Sequence, residues 1–225
     1  MLYIIGTPIG NKGDITLRAL ETLKILDLIY CEDTRSTAKL LDLLGIKIPL
    51  KRADSNILER ISMEIIEKAR FQNIGFVTDA GMPAISDPGT VLIAQCHRHN
   101  LPFQIVPGVS SLDTAVTGCG FPAQPMLFLG FLPRKSGRKT LLGSFKDLEK
   151  TIIFFESPNR IRKTLKELYD VIGERWICIC RELTKMHEEF IRVRLSEAVS
   201  LKFMEKGEFV VVLAPAGWYE PQSKN

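Results

Sequence analysis

The sequence predicts an α/β protein of two domains, the first built on a mostly parallel sheet and the second on a mixed one. Three observations carry this. Over the first hundred residues, short apolar runs alternate with amphipathic helical stretches, the pattern of a parallel sheet covered on both faces. Beyond that point the helices shorten, and residues 189–195 alternate apolar with polar side chains, as an exposed strand of a mixed sheet does. The chain has 225 residues, enough for one large or two small domains. The boundary is expected near residue 110, giving domains over 1–110 and 111–217 and a polar, frayed tail over 218–225.

The elements follow in order. Leu2, Tyr3, Ile4 and Ile5 form a buried strand that runs into a loop with Gly6, Gly10 and Gly13. Glycine lets backbone approach a ligand closely, but the spacing is neither a dinucleotide fingerprint nor a P-loop. Asp14 or Thr16 caps the next helix, whose Leu17, Leu20 and Leu23 lie near one face. A second strand, 28–31, ends in Glu32, Asp33, Thr34 and Arg35. A helix over about 37–44 stops at Gly45, and a third carries Ile57, Ile61, Ile65 and Ile66. The strand at 74–77 leads into a twelve-residue loop, 78–89, with two prolines and two aspartates. That is long for an α/β connection, and long ordered loops are usually functional. Strand 103–106 ends in Pro107, Gly108, Val109, Ser110 and Ser111.

In the second domain, strand 126–132 leads into a basic, flexible segment with Arg134, Lys135, Arg138 and Lys139. Strand 151–155 ends in Glu156, and Pro158 opens a helix closed by Gly173. Strand 176–180 ends in Arg181, Glu182, Leu183, Thr184 and Lys185, and 209–213 is a last buried strand.

Composition narrows the classes. Hydrophobic residues make up 45% and charged ones 25%, as in a soluble globular protein. No apolar run reaches the length of a membrane span, and no secretory signal is visible. The five cysteines are odd in number and scattered, which fits a reducing cytoplasm. The net charge of +4 permits an anionic partner without demanding one. His97 and His99 are two residues apart on one helix and His187 is isolated, so a histidine-based nucleophilic site is not supported. Glu32, Asp33, Asp79 and Asp87 leave a carboxylate-metal hydrolase as an alternative, although no metal site is expected. Loops of Gly, Pro, Ala and Ser better suit a flat, uncharged-to-cationic ligand held by backbone groups.

Seven segments occur together in a fixed order: 6–11 (Gly-Thr-Pro-Ile-Gly-Asn), 32–35, 79–89, 107–111, 130–135, 155–160 and 181–185. On these the chain resembles the bacterial small-subunit ribosomal RNA 2′-O-cytidine methyltransferases, within the tetrapyrrole methylase superfamily, from residue 2 to about 215. The resemblance implies a two-domain tetrapyrrole-methylase-like fold with a cleft between the domains, a homodimer, and S-adenosylmethionine as cofactor. It implies ribosomal RNA, or the small ribosomal subunit, as partner, and a cytidine ribose 2′-hydroxyl as methyl acceptor. For cofactor binding it points to Ile9, Gly81, Met82, Pro83, Ile85, Ser86, Ser110, Ser111, Glu156 and Leu183, largely through backbone. Tetrapyrrole-methylating relatives usually have Asp where this chain has Met82, which favours the RNA branch over a small-molecule methylase. Many RNA-branch members continue into a small helical C-terminal domain, whereas this sequence ends at Asn225.

A ribose hydroxyl is a weak nucleophile, so a base should help remove its proton. Asp33, Asp79, Glu182 and Lys185 are the candidates, with Asp33 and Lys185 preferred. Arg134, Lys135, Arg138 and Lys139, with Arg160 beside them, are expected to meet RNA phosphates.

Overall fold

A computed structural model describes residues 1–220. The chain divides into two compact units, Met1–Ser110 and Ser111–Asn225.

The first unit is a five-stranded sheet of β1 (Leu2–Ile5), β2 (Leu28–Cys31), β3 (Leu50–Arg52), β4 (Ile74–Val77) and β5 (Phe103–Val106), in the order β3-β2-β4-β1-β5. Every pairing is parallel. Helices α1 (Leu17–Lys24), α2 (Thr34–Leu43), α3 (Leu58–Ala69) and α4 (Thr90–Arg98) are the crossovers. Alternate strand residues feed two cores. Leu2, Ile4, Tyr30 and Phe76 pack with Ile65 of α3 and Leu92 of α4, while Ile5, Ile29 and Val77 pack with Leu23 of α1 and Leu41 of α2. Burial on both faces is why these strands read as continuous apolar runs. The chain leaves β1 toward β2 and leaves the neighbouring β4 toward β5, in opposite directions across the sheet. Their carboxyl ends therefore form a topological switch point, where such sheets bind ligands.

Helix α2 starts three residues earlier than the apolar spacing suggests. The reason is Asp33, whose carboxylate accepts from the Arg35 amide at 2.8 Å and caps the helix. Thr16 caps α1 in the same way, at 3.1 Å from the Ala19 amide.

The second unit contains α5 (Ser111–Cys119), α6 (Arg138–Gly143), α7 (Pro158–Ile172) and α8 (Leu195–Ser200). Its sheet is made of β6 (Met126–Phe131), β7 (Thr151–Glu156), β8 (Trp176–Arg181), β9 (Glu189–Arg194) and β10 (Phe209–Leu213), in the order β6-β7-β10-β8-β9. Only β6 and β7 pair parallel; the other neighbours are antiparallel. Ile152, Phe154, Ile177, Ile179 and Val211 bury one face against Ile161 and Leu165 of α7 and Ala198 of α8.

Two expectations need correcting here. The basic stretch after β6 is not wholly flexible, because Arg138 opens α6 and is buried. The tail expected to fray includes Trp218, which instead packs edge-on against Phe121 and Trp176, with the Arg192 guanidinium 5.3 Å from its ring. Residues 221–225 of that tail lie outside the described residues. Among the described residues no helix is long and apolar enough to cross a membrane.

Candidate functional site

At the switch point three loops of the first unit are knitted by backbone. Thr7 and Gly81 exchange two hydrogen bonds, Thr7 N to Gly81 O at 2.9 Å and Gly81 N to Thr7 O at 3.0 Å. Gly81 adopts φ +73°, a conformation glycine takes without strain. Gly6 lies against Gly108, and a Cβ on Gly6 would stand 2.6 Å from the Gly108 nitrogen and 2.5 Å from the Met82 sulfur. The Gly108 amide donates to that sulfur at 3.2 Å. The glycines that look like generic loop punctuation thus make one close crossing of backbones.

The crossing organises the residues predicted to hold cofactor in this unit. Ile9 is half-buried and packs toward Gly81. Met82 is half-buried and Pro83 buried, whereas Ile85 and Ser86 are exposed. Ala84 sits at φ +68° and its amide donates to Pro88 O, which folds the loop back on itself. Bare backbone, one thioether and two aliphatic side chains fit the apolar parts of an amphipathic cofactor such as S-adenosylmethionine and offer amide and carbonyl partners to its polar groups.

Beside this crossing lies a cavity of about 570 Å³, lined by Thr7, Ile9, Lys12, Lys39, Leu40, Thr78 and Asp79 among others. Asp79 is exposed as a residue. Even so, desolvation of its carboxylate, with the charge of Asp33 nearby, raises its pKa, although the Asp33 amide donates to it at 3.2 Å. Glu32 is raised as well, by burial and then by Asp79 and Asp87.

The two preferred bases are poorly suited. Asp33 is held well below the usual carboxylate range by its hydrogen bonds from the Arg35 side chain and amide, with an ion pair at 2.7 Å. A carboxylate so stabilised is a weak base. For Lys185, burial disfavours the charge, but Glu182 at 2.9 Å and Glu208 at 3.0 Å outweigh it and raise the pKa. It is a cation in a structural pair, and Glu182 is lowered in turn. Of the four candidates Asp79 alone has a pKa shifted toward a base's working range. The main partners, Arg35 for Asp33 and Glu182 for Lys185, stand two and three residues away, but spacing alone does not show that the side chains meet; only Glu208 reaches Lys185 from further along the chain.

The strand ends of the second unit behave differently. Glu156 is fully buried: its carboxylate accepts from the Thr164 hydroxyl at 2.7 Å and the Ser157 amide at 2.8 Å, and pairs with Arg160 at 3.2 Å. Any ligand contact there falls to backbone. Leu183 is buried between Glu182 at φ +50° and Thr184 at φ +63°. Ser110 and Ser111 are half-buried, one closing the first unit and the other opening α5.

The basic segment also splits. Arg134, Lys135 and Lys139 are exposed. Arg138 is not: it donates to Glu167 at 2.7 Å, to the Thr164 hydroxyl at 2.7 Å and to Pro133 O at 3.0 Å, so its donors are engaged between α6 and α7, although it also borders the adjacent recess. Arg160, partly exposed, donates to Leu132 O at 2.8 Å. A recess of about 320 Å³ beside them is lined by Arg134, Asn159, Arg160 and Lys163. Among the described residues, no group of three or more His, Cys, Asp or Glu is placed to hold a metal.

Comparison with known proteins decides the family. The model of the Tetrapyrrole (Corrin/Porphyrin) Methylases matches residues 1–199. The chain belongs to the tetrapyrrole methylase family. As such it is an S-adenosylmethionine-dependent methyltransferase. This methylase is 46% identical over 216 residues to the Thermotoga maritima protein named ribosomal RNA small subunit methyltransferase I, covering 95% of this chain and 97% of that one. A Bacillus subtilis protein of the same name is 40% identical, with 95% and 74% covered. Relatives of that name thus occur at different lengths beyond the shared core. Among solved structures the methylase superposes on diphthine synthase with a TM-score of 0.75 at 15% identity, covering 95% of this chain and 89% of that one. It superposes on uroporphyrin III C-methyltransferase from Thermus thermophilus with 0.68 at 18%, covering 95% and 96%. These two likenesses concern the fold.

Proposed function

We propose that this methylase transfers a methyl group to the 2′-hydroxyl of a cytidine in small-subunit ribosomal RNA. The observation that carries the reading is the near end-to-end likeness to the Thermotoga maritima ribosomal RNA methyltransferase. S-adenosylmethionine supplies the methyl as an electrophilic sulfonium substituent. In this reading the 81–86 loop, with Ile9, Ser110, Ser111, the backbone at Glu156 and Leu183, holds the cofactor. Alignment of the acceptor oxygen with the methyl then provides much of the acceleration.

Asp79 takes the hydroxyl proton. Its raised pKa makes it a better acceptor than Asp33, and it stands at the end of β4 next to the cofactor loop. Arg134, Lys135, Lys139 and Lys163 meet RNA phosphates, with Arg160 at the edge of their recess. The enzyme works in the cytoplasm as a homodimer. Exposed Met126 and Phe131 on the edge strand β6 support a subunit contact in the second unit.

The test offers the purified protein and S-adenosylmethionine three acceptors: isolated small ribosomal subunits, naked ribosomal RNA and a porphyrin precursor. Methylation of a cytidine ribose in either RNA substrate is expected. Methylation of the porphyrin alone would refute the reading.

A further inference from the structure

The cavity beside the loop crossing holds a feature that packing does not explain. Thr78, 2% exposed, lines it, and its buried hydroxyl has no hydrogen-bond partner among the described residues. A buried hydroxyl left unpaired costs free energy comparable to a lost hydrogen bond. An orphan at the end of a central strand, in a cavity, marks a place for a ligand atom. Lys12 and Lys39 line the same cavity, are exposed, and make no ion pair among the described residues. Ile9 and Leu40 supply apolar wall.

We propose that this cavity receives the acceptor nucleotide, turned out of its RNA strand, with its flanking phosphates at Lys12 and Lys39 and the Thr78 hydroxyl hydrogen-bonded to the nucleoside. The inference rests on the RNA-methylation reading above and gives its acceptor a place. The volume, about 570 Å³, lies in the range of small-ligand pockets. Apolar wall suits the face of a pyrimidine, and two unpaired lysines suit two phosphates. Ile9 stands at the border with the cofactor residues, and apart from it the lining stops at Ala80, one residue short of the loop assigned to the cofactor, so an occupant lies beside the methyl donor rather than in its place. Asp79 lines the same space and is within reach of a ribose lodged there. A nucleotide still stacked in its strand cannot enter such a recess, so it must leave the stack.

Two measurements test this on the whole 225-residue chain. The first is a titration with cytidine 3′,5′-bisphosphate of protein labelled at isoleucine and leucine methyls, followed by NMR. With S-adenosylmethionine already bound, a shift at Leu40, which lies outside the cofactor residues, is expected; its absence at saturation overturns the pocket. The second is methylation kinetics on small subunits. Lys12→Ala/Lys39→Ala should raise KM about tenfold or more with kcat little changed, as loss of phosphate contacts does. Thr78→Val, which keeps the shape and removes the hydroxyl, should lower kcat/KM about tenfold. S-adenosylmethionine affinity, read by calorimetry, should be unaltered in both, which separates this role from a fold defect. If the wild-type protein methylates subunits and these variants match it, the pocket fails while the function stands. If the wild-type protein methylates no RNA, both fall.

Discussion

The two units end their strands in loops of similar composition and use them in opposite ways. In the first, the loops after β1, β4 and β5 hold one another through glycine-to-backbone approach, and polar side chains such as Thr78 and Asp79 remain to line a cavity. In the second, the polar side chains themselves hold the structure. Glu156, Thr164, Arg138 and Glu167 form a continuous hydrogen-bonded chain, and Arg181 is spent on Glu189 and on the carbonyls of Lys206 and His187. A charged residue at a strand end is therefore no sign of chemistry by itself. What separates the cases is whether backbone or side chains carry the packing.

Three substitutions probe that contrast, in decreasing order of effect. Glu156→Ala strips the acceptor from a buried network and leaves Arg138 and Thr164 short of a partner. It should cost about 3–5 kcal/mol, read from urea unfolding. A loss under about 1 kcal/mol would mean that the network is not what holds the second unit's strand ends. Gly6→Ala places a methyl within 2.6 Å of the Gly108 nitrogen, a backbone atom that cannot swing away. About 1–3 kcal/mol should be lost, together with S-adenosylmethionine binding. Adding Met82→Ala should rescue this only in part, because it relieves the sulfur and not the backbone.

Asp33→Ala should have the smallest effect, a modest fall in melting temperature from losing the α2 cap. The folded pKa of Asp33 is depressed, so its contribution is present above the unfolded value near 3.8 and is lost as pH falls through the folded value. The difference from wild type should therefore shrink on acidification below about pH 4. A difference that grew instead would show that Asp33 acts through something other than its charged cap.

Much of the fold was legible because periodicity and burial agree. Apolar runs such as 74–77 and 209–213 are strands buried on both faces, and Gly45 and Gly173 end helices where the pattern stops. The seven ordered segments carried the family. What escaped was set by partners far away in sequence. Glu208, 23 residues on, joins the local partner Glu182 at Lys185, and Arg138 is drawn inside by Glu167, 29 residues on. Neither distant pairing leaves a local trace. The cavity escaped for the same reason: Thr78 is one more residue at a strand end until its hydroxyl is found without a partner.

The paired hydrogen bonds between Thr7 and Gly81 have a thermodynamic consequence. Residues 7–9 line the cavity, and residues 81–86 continue directly from the other side of the joint. Two occupants seated on either side share one segment of structure, made of two loops tied by this pair of hydrogen bonds. To the extent that the first shifts that segment, the free energy reappears, with the same magnitude, in the affinity of the second. Order of addition then leaves the final complex unchanged, and each occupant reports on the other through its own dissociation constant.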